Sequence, residues 1–115
     1  MASPADATET TVAQLTLSGD LIFGLGVLLL GFAAWTVGTA GTAVTVRIRR
    51  TNTAGTVVKS SGAMTATAGS LNAKTVVGVD TGPTLPGQVY VLTLTVSAAT
   101  AVSTVSAVEL VALVI

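Results

Sequence analysis

The chain has 115 residues, with five basic and five acidic side chains and therefore no formal net charge. This length corresponds to one domain, and a chain without basic excess is not expected to bind nucleic acid through its overall field. Charged residues make up 9% of the chain and apolar residues 50%, whereas about a quarter of a typical soluble domain is charged. The composition therefore predicts that part of the surface is covered by a partner.

Catalytic residue types are scarce, because the chain contains neither histidine nor cysteine. The usual general base, the usual nucleophile pairs and a zinc site cannot be assembled without them. The acidic residues Asp6, Glu9, Asp20, Asp80 and Glu109 are scattered along the sequence, so a glycosidase-type carboxylate pair is only a remote alternative. We predict no enzymatic activity, no catalytic residues, no cofactor and no metal.

Residues 1–9 are predicted to form a short N-terminal arm, and residues 10–115 a single β-sandwich domain. The first eight residues, MASPADAT, are small and polar and lack the basic and apolar regions of a signal peptide. The next segment, residues 11–17, alternates as a first strand, with Val12 and Gln14 on one face and Leu15 and Leu17 on the other.

Residues 21–37, LIFGLGVLLLGFAAWTV, allow two interpretations. The run carries no charge and approaches the length of a membrane-spanning helix. Gly24, Gly26 and Gly31 interrupt it, and in strands glycine marks a bulge or a close backbone approach. We predict one long or bent strand, or two strands broken near residues 24–26. A membrane-anchored pilin or coat subunit with a helix at 21–37 is the alternative.

The clearest strand is residues 43–50, AVTVRIRR, which alternates strictly. Val44, Val46 and Ile48 are predicted to face the core, with Arg47 and Arg49 on the opposite face. These arginines suit either a solvated face or a contact with an acidic partner, since arginine pairs bidentately with carboxylates.

The second half of the chain continues as short strands between turns. Residues 51–55, TNTAG, predict a turn after which residues 56–59 pair back as a hairpin. Residues 71–79 predict a weaker strand, and the prolines and glycines of residues 80–87 predict an irregular loop. The whole pattern is typical of an all-β antiparallel sandwich or barrel, of which we predict the sandwich.

Two further strands close the chain. Residues 89–96, VYVLTLTV, place Tyr90, Leu92 and Leu94 on one face, which is predicted to be buried. The last apolar segment, residues 102–115, ends at Ile115.

Residues 21–37 and 102–115 are apolar on both faces, whereas an ordinary sandwich strand has one buried face and one solvent-exposed polar face. Loops could cover the second face, but we predict a subunit interface in a closed homo-oligomer. The candidate interface residues are Val27, Leu29, Trp35, Glu109, Val111, Leu113 and Ile115.

Three stretches resemble small jelly-roll proteins of tailed bacteriophages. They are TVRIRRTNTAGTVV at residues 45–58, VVGVDTGP at residues 76–83, and VYVLTLTVSAATAVSTVSAVELVAL at residues 89–113. In that family a hairpin with an arginine-bearing strand precedes a GVDT turn, a tyrosine-containing strand and a terminal strand of Thr, Val, Ser and Ala. The resemblance covers residues 40–115, and the apolar run at residues 21–37 departs from the family pattern.

The resemblance implies a tumour-necrosis-factor-like jelly roll, commonly trimeric, found as a capsid decoration protein or as the head of a fibre. It therefore predicts a structural protein on the capsid surface of a virion, with the chain itself and the major capsid protein or another virion protein as partners. The family offers no catalytic residues to carry over. From the charge balance and the strand interpretation of residues 21–37, we expect neither nucleic acid nor a membrane as a partner, with the membrane-anchored subunit as the alternative. A fibre-head or receptor-binding module is the alternative.

Overall fold

A computed structural model describes residues 9–17, 26–38, 42–84, 87–97 and 102–115. Within these ranges the chain forms strands and no helix, so the all-β class predicted from the sequence is confirmed. The strands are β1 (Glu9–Thr16), β2 (Val27–Val37), β3 (Ala43–Arg50), β4 (Val57–Ser60), β5 (Met64–Thr65), β6 (Leu71–Asp80), β7 (Val89–Val96) and β8 (Val102–Val114).

Two antiparallel sheets pack face to face. The five-stranded sheet has the order β1-β7-β3-β4, with β5 pairing beside β3, and the three-stranded sheet has the order β6-β2-β8. The outer edge of β8 pairs with no strand among the described residues.

The core lies between β2, β3 and β7, because these strands are central or internal and their inward side chains are apolar. Six side chains predicted to be core are completely buried, which confirms the alternation in β3 and β7: Val44, Val46, Ile48, Tyr90, Leu92 and Leu94. Arg47 and Arg49 lie on the opposite face of β3, also as predicted.

The prediction for the first strand needs two corrections. Glu9 belongs to β1 rather than to an arm, while residues 1–8 lie outside the described part. The register of β1 against β7 shifts between Thr11 and Ala13, and this bulge resets the alternation. As a result Val12 and Leu15 both pack against the core, whereas the sequence pattern had placed them on opposite faces.

The apolar run is a strand where the structure describes it. β2 pairs with β6 on one side and β8 on the other over its whole length, so a helix through these residues is wrong; residues 21–25 lie outside the described ranges. In the described part of the chain, no helix has the length and apolar character to cross a membrane.

Close packing around Gly31 explains why the centre of β2 carries a glycine. A Cβ built there would lie 2.7 Å from Leu92 Cδ1 and 3.3 Å from both Ile48 Cδ1 and Val76 Cγ2. A Cβ at this position would therefore force the buried Leu92 side chain to shift.

The hairpin predicted after β3 is present, with β4 pairing back across residues 51–55. Asp80, predicted to begin a loop, is the last residue of β6 and is buried. The short strand β5 was not predicted, because Met64 and Thr65 make only two register pairs with β3 and so leave no periodic pattern in the sequence.

Candidate functional site

The outer face of the three-stranded sheet is almost entirely apolar. Alternation places successive side chains of each strand on opposite faces, so residues paired across β6, β2 and β8 share a face. Three neighbouring outward rows are Val79–Leu28–Leu113, Val77–Leu30–Val111 and Thr75–Phe32–Glu109. We call these nine residues, together with Ile115 at the end of β8, the apolar face.

Side-chain exposure shows that this face is uncovered. The large apolar residues that remain exposed include Leu30 at 40%, Val77 at 47%, Val79 at 48%, Val111 at 44% and Leu113 at 58%. Of all the exposed large apolar residues in the described chain, only Val57 lies off this side of the sheet. Among the described residues, no loop covers the second face of β2 and β8.

The structure divides the predicted interface residues into two groups. Glu109, Val111, Leu113 and Ile115 are exposed on the outer side of β8, where a partner could contact them; their contact with a partner stays a prediction.

The other three need a correction. Val27, Leu29 and Trp35 point into the sandwich and have exposures of 0%, 0% and 2%, so their side chains are unavailable to a partner. The outward residues of β2 are their neighbours, Leu28, Leu30 and Phe32. The sequence showed that both faces of this segment are apolar, but not which face the other sheet would cover.

The outer face of the five-stranded sheet is polar and internally paired. Glu9 on β1 receives hydrogen bonds from Arg49 Nε at 2.5 Å and Nη2 at 2.9 Å, and from the Thr93 hydroxyl at 2.5 Å. Arg47 Nη1 lies 3.5 Å from the same carboxylate and donates to Thr95 Oγ1 at 3.2 Å. We call Glu9, Arg47, Arg49 and Thr93 the Glu9 cluster.

Within the chain, Arg47 and Arg49 already have an acidic neighbour in the Glu9 cluster, and their contact with a partner stays a prediction. The acidic group that Arg49 binds bidentately is Glu9 of its own chain, and its remaining Nη1 donates to the Gly55 carbonyl at 2.7 Å. Burial raises the pKa of Glu9, but the hydrogen bonds from Arg49 and Thr93 and the arginine charges outweigh it and hold this pKa below its ordinary value.

A second cluster, formed by Asp80, Arg50 and Tyr90 and called the Asp80 cluster, joins the two sheets. The buried carboxylate of Asp80 on β6 accepts hydrogen bonds from Arg50 Nε at 2.8 Å, the Tyr90 hydroxyl at 2.7 Å and the Gly82 amide at 3.0 Å, and pairs also with Arg50 Nη2. Burial raises the pKa of Asp80, but these hydrogen bonds hold it below its ordinary value. Burial and the bond to Asp80 raise the pKa of Tyr90.

Sequence reasoning missed Glu9 and Asp80 because each was assigned to an irregular segment. A signal existed for Asp80, since a lone tyrosine on a core-facing strand needs a partner for its hydroxyl. An aspartate two residues before a glycine is also a common turn former. No comparable local pattern connects Glu9 with β3, because the two meet only through β7.

The described residues enclose no pocket and hold no group of three or more side chains suited to a metal ion. The buried Trp35 Nε1 has no hydrogen-bond partner, yet no cavity opens beside it. The geometry therefore offers a flat apolar surface as the candidate functional site.

Comparisons with protein-family models, with curated proteins and with solved structures give no match to this chain.

Proposed function

We propose that this chain is a non-enzymatic structural subunit that assembles with copies of itself through the apolar face and decorates the capsid surface of a virus particle. The single observation that carries the oligomeric part is the exposed apolar face of β6, β2 and β8. The virion part is supported by the resemblance of residues 40–115 to phage jelly-roll proteins, and the strand order is compatible with it.

The size of the apolar face indicates that covering it matters energetically. Strand geometry gives a patch of roughly 20 Å along the strands by 14 Å across them, or about 300 Å². At about 25 cal/mol per Å², burying it contributes about 7 kcal/mol per chain before the costs of association. A patch of this size is in the range that is often functional in single chains.

The rest of the surface suits a rigid building block. The polar outer face is held by the Glu9 cluster within the chain, and the Asp80 cluster ties β6 to β3 and β7. A decoration protein has to present fixed contacts to a lattice, and a sandwich whose sheets are linked by the Arg50–Asp80 ion pair and the Tyr90–Asp80 hydrogen bond provides a stiff frame. The resemblance suggests three copies around one axis.

Particles purified from the source of the chain provide the test. We expect antibodies against the folded chain to label the outer surface of the capsid in electron micrographs. Stripping the chain with mild denaturant should lower the temperature at which the particles rupture, and adding back the purified chain should restore it.

The outcomes separate the proposal from its alternatives. Stripped particles that keep their heat stability but no longer adsorb to host cells would overturn decoration in favour of receptor binding by a fibre-head module. Absence of the chain from purified particles would overturn the virion assignment altogether.

A further inference from the structure

The charges on the three-stranded sheet are distributed unequally between its two edges. Glu109 on β8 is the one charged side chain that the described residues place on the apolar face. Lys74 lies on the opposite edge strand, β6, and is exposed. Neither side chain belongs to an ion pair within the described chain, in contrast to the arginines of β3.

Strand register places Glu109 and Lys74 at nearly the same position along the strand direction. Glu109 pairs with Phe32 of β2, and Lys74 pairs with the next residue, Ala33. Thr75, the neighbour of Lys74, lies in the same outward row as Glu109, with Phe32 between them. The row thus has an acid at one edge, an aromatic ring in the middle and a hydroxyl with an adjacent lysine at the other edge.

We infer that copies of the chain pack their apolar faces around a rotation axis parallel to β2, so that Glu109 of one copy contacts Thr75 and Lys74 of the next. The inference rests on the proposed function and specifies its contact. Rotation about an axis parallel to the strands does not change the position of a residue along the strand direction. The β8 edge of each copy therefore meets the β6 edge of its neighbour with corresponding rows side by side. The Phe32 rings then face one another at the axis.

Charge complementarity distinguishes this arrangement from the other way of facing two such sheets. A two-fold axis perpendicular to the strands would set β8 against β8, bringing the acidic edges together and leaving both lysine edges unpaired. Like charges facing one another across a contact are unfavourable. The parallel axis instead pairs every acidic edge with a basic one, and it does so in a two-fold or a three-fold ring.

The reach of the Lys74 side chain is compatible with this geometry. Lys74 points to the opposite side of the sheet from Thr75, and its flexible stem allows the ammonium group to turn round the edge of β6. The apolar face alone, at about 300 Å², is smaller than the roughly 800 Å² per partner of a standard interface. The arrangement therefore requires further contact along both edges of the sheet.

Charge exchange tests the inference. The variants are Lys74→Glu, Glu109→Lys and the double variant with both changes, and association is measured by sedimentation equilibrium of the full chain. Each single change creates a like-charge contact and should raise the dissociation constant about tenfold. The double variant should recover to within about threefold of the parent, because the pair is restored with its signs exchanged.

Lys59→Glu provides the matched control. Lys59 is an exposed lysine on β4, beside Gly78 of β6, about 13 Å along the strand from Lys74. Combining Lys59→Glu with Glu109→Lys should give no recovery. Circular dichroism spectra should show that every variant keeps its strands.

Each result decides the inference. Recovery limited to the Lys74 pair supports it. Two results overturn the proposed axis: single changes that leave the dissociation constant unchanged, or a double variant whose loss of affinity equals the sum of the two single losses. In either case the proposed function stands if Leu113→Asp still dissociates the assembly. A parent chain that is monomeric overturns both.

Discussion

The outer faces of the two sheets differ in whether their side chains find partners within the chain. On the five-stranded sheet, Thr93 is fully buried and its hydroxyl is bonded to Glu9, which also pairs with Arg49. On the three-stranded sheet, Leu30, Val111 and their neighbours are exposed to solvent. One face satisfies its polar groups inside the chain, whereas the other leaves its apolar groups for something outside the chain.

This difference shows that low charge content does not by itself locate an interface. All three arginines of β3 form ion pairs within the chain. The surface whose side chains find no partner within the described chain is instead the apolar face, which carries almost no charge. An unpartnered surface is therefore better recognised by what its side chains fail to contact than by how many charges it holds.

The largest effect is expected from a charge placed on the apolar face. Leu113→Asp should dissociate the assembly at a cost of several kcal/mol, because the contact would bury an unpaired carboxylate. Gln14→Asp introduces the same side chain at an exposed position of β1 and should leave the mass in solution unchanged. Light scattering of both variants checks this, and equal behaviour of the two would contradict the assignment of the face.

Removing the centre of the polar face should change folding rather than assembly. Glu9→Ala leaves Arg49 and Arg47 without their carboxylate, and the free energy of unfolding should fall by about 2 kcal/mol, since charged hydrogen bonds in a partly buried site contribute this much. Denaturant titration at fixed chain concentration measures it, with Gln14→Ala on the same strand as the control. Dissociation of the Glu9→Ala variant under native conditions would show that the two faces are not independent.

Acid should weaken the folded chain through the two carboxylate clusters. The folded-state pKa values of Glu9 and Asp80 lie below their ordinary values. Their contribution to stability is therefore present above the ordinary carboxyl range near pH 4 and is lost as the pH falls through the depressed values. Thermal unfolding between pH 7 and strongly acid pH should show this decline, and a Glu9→Gln, Asp80→Asn double variant should flatten it. A parent whose melting temperature did not change in acid would be inconsistent with both clusters.

The smallest expected effect is at alkaline pH, where Tyr90 reports on the link between the sheets. It is the single tyrosine of the chain, and its raised pKa means that the folded state favours the neutral phenol. Stability should hold below the ordinary tyrosine pKa of about 10 and decline as the pH rises above it. Tyrosinate absorbance should appear only together with unfolding; its appearance in a still folded chain near pH 10 would mean that the bond to Asp80 is absent.

Much of the fold could be predicted because strict alternation survives in β3 and β7. Val46 and Leu92 could be assigned to the core from period-two patterning alone. In β1 a bulge reset the pattern, and bulges leave little trace in a short strand. In β2 the pattern is apolar on both faces, so the sequence indicated that each face is covered or unsatisfied but not which face the core would take.

The candidate site was only partly predictable for the same reason. In β8, Glu109 fixes the outward face, and Val111 and Leu113 follow from it by alternation. In β2 neither face carries a charged residue that would identify it as the outer one, and Val27 and Leu29 were assigned to the wrong face. The partner of Arg49 lies 40 residues away in sequence, and such a pairing depends on topology that local patterns do not encode.

The central claim is that the apolar face joins copies of this chain, and the mass of the purified chain in solution tests it most directly. Light scattering at micromolar concentration should give a multiple of the 11.3 kDa chain mass, with three copies expected from the resemblance to phage jelly-roll proteins, and Leu113→Asp should reduce that mass to one chain. A parent chain that scatters as a soluble 11.3 kDa monomer, with Leu113→Asp behaving identically, would contradict the account.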